Sequence, residues 1–225
     1  ITENGLIINN GREENLEEVL AKGWWTQIEK IGVDDGWQAN TLGNDSTDIS
    51  FRGKSQGTLN WGLMGEHNRM NALAALAAAH HVGVTIETGI TALTKFKNVK
   101  RRMELCGVAN EITVYDDFAH HPTAIQTTLE GLRNKVNDAR IIAVLEPRSN
   151  TMKMGIWQDR LAESLKVADL VFCYTSNLGW DVQKALEPMG SKAVSSDNLE
   201  KLIEAVTVAT HPGDYVLIMS NGGFG

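Results

Sequence analysis

The sequence predicts an α/β protein whose second half is a doubly wound, mostly parallel sheet. Two observations lead to this fold class. After residue 110, continuous apolar segments alternate with helix-like segments, and before it a set of short alternating segments precedes a helix rich in small residues. Crossover helices bury both faces of a parallel sheet, so the alternation in the second half is typical of one.

The composition is that of an ordinary globular protein, with 225 residues, 42% hydrophobic and 22% charged. The net charge of −7 argues against a general nucleic-acid or membrane-surface binder, and no run approaches the roughly 20 apolar residues of a membrane span. Cys106 and Cys173 lie far apart and fit a reducing compartment, so we expect a cytoplasmic protein. The chain opens with ITENGLIINN and closes with SNGGFG, and we expect it to be part of a longer protein.

The first half is predicted to begin with a strand, a charged helix and a second strand, followed by a β-meander. Leu16, Val19 and Leu20 give the helix an apolar face, and short alternating segments indicate the meander. In chain order the segments are Gly5–Asn9, Glu13–Lys22, Thr26–Ile31, Trp37–Leu42, Ser46–Phe51 and Gln56–Leu63.

Gly53-Lys54-Ser55, inside the meander, resembles the end of a phosphate-binding P-loop. That motif needs an earlier glycine where the sequence has Asp48, and a helix afterwards where a strand is predicted. We therefore interpret the segment as a turn.

The segment Gly65–Ala79, GEHNRMNALAALAAA, predicts a loop followed by a helix. Asn68 is a candidate N-cap and strong helix formers follow from Met70, so we expect a helix buried against a sheet. Asn68 and Asn71 share one face of the first turn. Their amides could bind a planar heterocycle, although spacing alone favours a cap and a surface asparagine.

A second short helix is predicted within Val84–Leu93, and a basic run, KFKNVKRR at Lys95–Arg102, follows it. Basic runs suggest nucleic acid, but the acidic chain favours a solvated linker with one or two functional arginines. We place the domain boundary near Thr91–Phe96, which gives domains 1–91 and 92–225.

The second half alternates strands with helices. The predicted strands are Ile112–Asp116, Ile141–Glu146, Leu170–Tyr174, Lys192–Val194 and Tyr215–Ser220. The predicted helices are Pro122–Lys135, Gly155–Leu165, Asp181–Leu186 and Asn198–Thr210. In such sheets ligands bind beyond the carboxyl ends of the strands, which selects the loops Asp116–His121, Glu146–Gly155, Thr175–Trp180 and Ser220–Gly225.

The segment VYDDFAHHP, Val114–Pro122, ends a strand with two aspartates and begins a helix with two histidines. A carboxylate at a strand end can accept hydrogen bonds from a ribose, whereas a helix cap with surface histidines is the simpler interpretation. No third ligand is suitably spaced for a zinc site, so we predict no metal site here.

The loop after the next strand, EPRSNTMKMG, carries Arg148 and Lys153, which can bind a carboxylate or phosphate. Ser149, Asn150 and Thr151 add short donors, and the alternative is a loop that caps the next helix. The glycines of SNGGFG, Ser220–Gly225, allow backbone N–H groups to face an anion, which alone is a weak signal.

In this order, the segments GEHNRMNALAA, KRRMEL, VYDDFAHHP, LEPRSNTMKMG and SNGGFG resemble the Mur ligases, the ATP-dependent amide-forming enzymes of peptidoglycan synthesis. The resemblance implies three domains, with residues 1–91 as the later part of a central ATPase domain and 92–225 as most of a C-terminal Rossmann-like domain. The P-loop and the magnesium ligands of the family lie upstream, so we do not expect this stretch to catalyse a reaction alone.

The resemblance also implies site residues. It assigns Asn68 and Asn71 to adenine, Arg102 to the ATP phosphates and ribose, and Asp117 to the ribose. The residues implied to face the peptide are His120, Arg148, Ser149, Asn150, Thr151, Lys153, Ser220, Asn221 and Gly222.

The implied reaction uses ATP and Mg²⁺ to join UDP-N-acetylmuramate to the tripeptide L-alanyl-γ-D-glutamyl-meso-diaminopimelate through an acyl phosphate, in peptidoglycan recycling. The L-alanine-adding member of the family is the alternative, but its corresponding loop usually carries a His-Arg pair and further arginines. A non-catalytic nucleotide-binding module is a third interpretation. We predict neither nucleic-acid nor membrane partners, and the sequence leaves the oligomeric state open.

Overall fold

The computed structural model describes residues 4–43, 46–63, 65–176 and 178–224. Residues 177 and 225, which belong to two of the predicted strand-end loops, lie outside the described residues. The chain forms two compact units, Ile1–Lys97 and Asn98–Gly225, which divide within the basic run. In the described ranges no helix is long and apolar enough to cross a membrane.

Among its described residues, the first unit contains a five-stranded sheet and three helices. Its elements are β1 (Leu6–Asn10), α1 (Glu14–Ala21), β2 (Gln27–Ile31), β3 (Trp37–Thr41), β4 (Ser46–Phe51), β5 (Lys54–Asn60), α2 (Glu66–His81) and α3 (Ile86–Thr94). The strands follow the order β1-β2-β3-β4-β5. The first three are parallel, whereas β3, β4 and β5 pair antiparallel, which confirms the predicted meander.

The turn between β4 and β5 consists of Arg52 and Gly53. Both have positive φ, 50° and 75°, as the tight two-residue hairpin turn requires. Lys54 already pairs with Phe51 in the sheet. Of the GKS segment, only Gly53 lies in the turn, whereas Lys54 and Ser55 begin β5, the strand predicted to follow.

Helix α2 packs against this sheet through small and branched side chains. Leu73 and Ala77 are fully buried together with Trp37, Ile49 and Leu59 of the strands. Alanines let the helix axis approach the sheet closely. The predicted burial of this helix is confirmed.

The predicted start of α2 is wrong, because the helix begins at Glu66 and its N-cap is Gly65, not Asn68. Gly65 has φ 89°, and its carbonyl accepts the amide of Asn68 at 3.2 Å. The negative charge of Glu66 interacts favourably with the positive N-terminal end of the helix dipole. Its carboxylate also pairs with Arg12, which is distant in the sequence, at 2.8 Å. Local sequence could not show that partner.

The second unit contains a six-stranded sheet. Its elements are β6 (Glu104–Ala109), β7 (Ile112–Asp117), α4 (Pro122–Val136), β8 (Ile141–Leu145), α5 (Asn150–Lys153), α6 (Gln158–Leu165), β9 (Leu170–Tyr174), α7 (Val182–Leu186), a 3₁₀ helix (Glu187–Lys192), β10 (Ala193–Ser196), α8 (Leu199–Ala209) and β11 (Tyr215–Met219). The strand order is β10-β9-β8-β11-β7-β6, and only β6 pairs antiparallel. The predicted α/β class with a mostly parallel second sheet is confirmed.

Strand β6 and helix α5 were not predicted. Every residue of β6 is exposed, so its sequence lacks the apolar pattern of the central strands. Helix α5 occupies part of the predicted loop, and α6 begins at Gln158 rather than Gly155. Both differences concern short elements at the surface of the sheet.

Candidate functional site

Three predicted loops meet where β7, β11 and β8 end. Met219 at the end of β11 pairs with Asp117 of β7 on one side and Leu145 of β8 on the other. Because the three strands are parallel, the segments that follow them leave the same edge of the sheet. This edge carries most of the residues predicted for the second unit.

Asp117 is buried, with 3% exposure, and both carboxylate oxygens accept backbone hydrogen bonds. Oδ2 accepts the amide of Met103 and Oδ1 accepts the amide of Ala119, each at 2.8 Å. The hydroxyl of Thr128 also approaches Oδ1, at 3.5 Å. In this conformation Asp117 fixes the segment on either side of the strand end.

Arg102 is exposed beside that segment. Its guanidinium lies over the ring of Phe118, 5.5 Å from the centroid. The neighbouring Arg101, which the sequence did not single out, donates from Nε to Asp116 Oδ2 at 3.0 Å and from Nη2 to the carbonyl of Ser220 at 2.6 Å. The adjacent Asp116 and Asp117 therefore have different partners: Asp116 pairs with a guanidinium, whereas Asp117 accepts backbone amides.

The two histidines also differ. His120 is half-buried, and its Nδ1 lies 2.9 Å from the carbonyl of Phe118. Because a carbonyl oxygen can only accept, Nδ1–H is the donor in this contact. His121 is the N-cap of α4, where its side chain accepts from Thr123, and its ring packs edge-on against Trp157 at 4.4 Å.

Arg148 lies across the glycine-rich loop. Its Nη1 donates to the carbonyl of Gly223 and stands 3.8 Å from Glu146 Oε1. A Cβ placed on Gly222 would lie 2.7 Å from Arg148 Nε. Arg148 and the loop after β11, predicted separately from sequence, thus form one structure.

Ser149 is the N-cap of α5, with its hydroxyl 3.4 Å from the amide of Met152 and 3.5 Å from the carbonyl of His120. Asn150, Thr151 and Lys153 are exposed on this helix. The indole of Trp180 donates to the carbonyl of Met152 at 2.6 Å, which ties the loop after β9 to the same place.

Ser220 is fully buried. Its hydroxyl donates to Glu146 Oε2 at 2.7 Å and accepts the amide of Gly222 at 3.2 Å. The next residue, Asn221, has a buried side-chain oxygen with no hydrogen-bond partner in the described part of the chain. Ser220 therefore holds the loop, and Asn221 keeps an acceptor for another group.

Asn68 and Asn71 lie in the first unit, on the first turns of α2. Asn68 is half-buried and Asn71 is exposed. Throughout the described ranges no three His, Cys, Asp or Glu side chains converge as ligands of a metal ion would.

A sequence model of one protein family, described as Mur ligase, glutamate ligase domain, matches residues 101–222. The chain belongs to the Mur ligase family. The match spans β6 to the loop after β11, the region whose loops form the site described above, and it confirms the family predicted from the sequence.

The similarity to individual Mur ligases extends over nearly the whole of this chain. The chain is 48% identical over 225 residues to a UDP-N-acetylmuramate–L-alanyl-gamma-D-glutamyl-meso-2,6-diaminoheptandioate ligase of Escherichia coli K12, matching 98% of this chain and 49% of the relative. A crystal structure of a murein peptide ligase from Psychrobacter arcticus 273-4 superposes with a TM-score of 0.72 and 41% identity, over 100% of this chain and 50% of that one.

A UDP-N-acetylmuramate–L-alanine ligase of Caldanaerobacter subterraneus subsp. tengcongensis is 29% identical over an alignment of 239 positions, which covers 99% of this chain and 51% of the relative. The chain thus spans about half the length of the relatives it matches. The similarity to the Mur ligases that add the tripeptide, predicted from the sequence, is confirmed.

Proposed function

We propose that the protein containing this chain is an ATP-dependent ligase that joins UDP-N-acetylmuramate to L-alanyl-γ-D-glutamyl-meso-diaminopimelate. One observation carries the proposal: identity to the tripeptide ligase of E. coli is 48% over nearly the whole chain, against 29% to the alanine ligase. The loop Glu146–Gly155 agrees, because Arg148 is its single arginine and it contains no histidine, unlike the corresponding loop of the L-alanine-adding ligases. ATP and a UDP-sugar as substrates support a cytoplasmic location.

The proposed chemistry has two steps. A muramate carboxylate oxygen attacks the γ-phosphorus of ATP. ADP departs as the leaving group, and the product is an acyl phosphate. The tripeptide amine then attacks the acyl carbon, loses a proton, and releases phosphate as the amide forms. Mg²⁺ would neutralise charge on the phosphates, and its ligands are proposed to lie outside this chain.

Residues in each unit are proposed as nucleotide contacts, Asn68 and Asn71 in the first unit and Arg102 and Asp117 in the second. Asn68 and Asn71 offer amides to adenine, and the exposed Arg102 offers a guanidinium to the phosphates and ribose. Asp117 is proposed to lie beside the ribose of ATP. Because its oxygens hold the amides of Met103 and Ala119, its contribution in this conformation is to fix the segment that carries Arg102.

The peptide side uses the edge formed by α5 and the loop after β11. Arg148, Asn150, Thr151 and Lys153 are exposed there and suit a peptide with carboxylates. Asn221 adds a buried oxygen that can accept a substrate N–H. These groups would also exclude water from the acyl phosphate when the tripeptide is bound.

His120, Ser149, Ser220 and Gly222 are proposed to shape this side. His120 presents its Nε2 edge at the rim, beside the Ser149 hydroxyl that caps α5. Ser220 and Gly222 fix the backbone over which Arg148 lies.

The test is phosphate release by the complete protein with ATP, Mg²⁺ and UDP-N-acetylmuramate, and with either the tripeptide or L-alanine added. We expect turnover with the tripeptide and little with L-alanine. Preference for L-alanine would replace the proposal by the alanine ligase. ATP binding without turnover of either amine would favour a nucleotide-binding module.

A further inference from the structure

Arg101 is held by its side chain and by its backbone. Its guanidinium donates to Asp116 at 3.0 Å and to the carbonyl of Ser220 at 2.6 Å. Its amide donates to Glu104 Oε2 at 2.7 Å, and its carbonyl accepts the amide of Phe118 at 2.8 Å. Its φ of 59° is uncommon for a residue with a side chain and persists because these contacts determine it.

We infer that Arg101 is a positioning residue that aligns the peptide-facing loop with the nucleotide-facing segment. The inference rests on the proposed function, because it assigns those two sides to ATP and the tripeptide. Arg101 itself need not touch either substrate. Its place in the chain, directly before Arg102, makes it a covalent neighbour of the nucleotide side.

Arg101 contacts Ser220, the first residue after β11, whose hydrogen bonds fix the start of the glycine-rich loop. The amide of Ser220 donates to the carbonyl of Asp117 at 3.2 Å, its carbonyl accepts from Arg101, and its hydroxyl donates to Glu146. Every polar group of this buried residue is therefore engaged. Arg101 supplies the contact from the β7 side and Glu146 supplies the contact from the β8 side.

The geometry uses the fork of an arginine. Nε–H of Arg101 donates to the carboxylate of Asp116 while Nη2–H donates to the carbonyl of Ser220. A lysine ammonium could contact both acceptors, but its flexible side chain would not hold the two hydrogen bonds in a fixed geometry. The ion pair is partly buried, with side-chain exposures of 30% for Arg101 and 25% for Asp116. Loss of the guanidinium would leave the carbonyl of Ser220 buried without its charged donor.

Arg133 offers a matched control. It also pairs with an aspartate, Asp169 at 2.6 Å, and also donates to backbone carbonyls, with an exposure of 27%. Asp169 accepts the amide of Ile141, the first residue of β8, so this pair lies at the opposite edge of the same sheet. Arg140, which pairs with Asp214, is a second control if Arg133→Met does not fold.

The experiment uses the complete protein with Arg101→Met, Arg101→Lys and Arg133→Met. We expect Arg101→Met to raise the KM of the tripeptide about tenfold, which corresponds to about 1.4 kcal/mol, with the KM of ATP changed less than about twofold. Arg101→Lys should lie between the wild type and Arg101→Met. Arg133→Met should lower the melting temperature at least as much but leave the tripeptide KM unchanged.

Hydrogen–deuterium exchange on the same proteins gives a readout that does not depend on turnover. We expect faster exchange at the amides of Ser220 and Gly222 in Arg101→Met and not in Arg133→Met. Equal KM values and equal exchange in these two variants would overturn the positioning role, as would a fully wild-type Arg101→Lys protein.

The wild-type protein separates the two proposals. If it uses L-alanine, the tripeptide proposal fails and the comparison of variants proceeds with L-alanine. If it turns over neither amine, the exchange measurement alone supports or overturns the role of Arg101.

Discussion

Neighbouring residues in the candidate site make different contacts, which depend on how each side chain is held. Ser220 and Asn221 were predicted together as peptide contacts, yet Ser220 is fully buried and bonded, whereas the side-chain oxygen of Asn221 has no hydrogen-bond partner among the described residues. Likewise Asp116 pairs with Arg101 while Asp117 binds backbone amides. Residue type and spacing indicated which loops meet at this end of the sheet but could not assign a partner to each atom.

The contact between Arg148 and Gly222 leads to a prediction at this scale. A methyl group on Gly222 would lie 2.7 Å from Arg148 Nε and 2.9 Å from its Cζ, so Gly222→Ala must displace the guanidinium from the carbonyl of Gly223. We expect a rise of about tenfold in the tripeptide KM, since a hydrogen bond from a charged group contributes about 1.5–3 kcal/mol. Steady-state kinetics of the complete protein measures it.

Gly223→Ala is the control, because a Cβ at that position meets nothing within 4 Å. It should leave the tripeptide KM unchanged. Arg148→Ala should raise that KM by a similar factor, and adding Gly222→Ala to it should have little further effect. Additive effects of the two substitutions would contradict the assigned contact.

Among elements, helix α2 illustrates how tertiary contacts set a boundary. Its composition predicted a buried helix, and Leu73 and Ala77 are indeed in the core. Its first turn depends on Glu66, which pairs with Arg69 and with Arg12 at 2.8 Å. Strand β6 is the opposite case, because it is defined by pairing with β7 while all its side chains are exposed.

Glu66 gives a pH prediction at the element scale. Burial alone would raise the pKa of Glu66, but hydrogen bonds and charges from Arg69 and Arg12 lower it below the ordinary value of 4.5. A carboxylate whose pKa is lowered by folding stabilises the protein above pH 4.5, and this contribution is lost as the pH falls through the folded-state pKa.

Glu66→Gln should therefore lower the free energy of unfolding near pH 7 and approach the wild type at acidic pH. The side chain is 46% exposed, so solvent screening limits the difference to about 0.5 kcal/mol. Urea unfolding from pH 3.5 to 7 measures it. Glu87→Gln, in the first turn of α3, is the control, and an equal, pH-independent loss in both variants would refute the role of the arginines.

At the scale of the whole molecule, the chain consists of two units that divide between Lys97 and Asn98. The dividing segment belongs to the basic run, and Lys95, Lys97 and Lys100 are exposed there between α3 and β6. An exposed segment without regular structure is where a protease cleaves first.

We therefore expect limited trypsin digestion to cleave first after Lys95, Lys97 or Lys100 and to give two fragments near the division. Mass spectrometry of the early products identifies the sites. Cleavage after Arg101 should come later, because its carbonyl and guanidinium are hydrogen-bonded. First cleavage inside α4, after Arg133 or Lys135, would contradict the two-unit description.

The sequence by itself determined the α/β class, the meander, the buried alanine-rich helix and the loops at the strand ends. Each of these follows from apolar periodicity or turn residues, which are local properties of the chain. The resemblance carried by five short segments also sufficed to predict the family.

Only the tertiary structure decided which atoms in those loops are engaged and which are free. The pairing of Arg101 with Ser220, of Arg148 with Gly223 and of Arg12 with Glu66 joins residues far apart in the chain. Such contacts depend on strand order and register, which place the ends of β7, β8 and β11 side by side. Local sequence patterns do not specify the order or register of the strands. The elements of the fold could therefore be predicted from the sequence, whereas these long-range contacts could not.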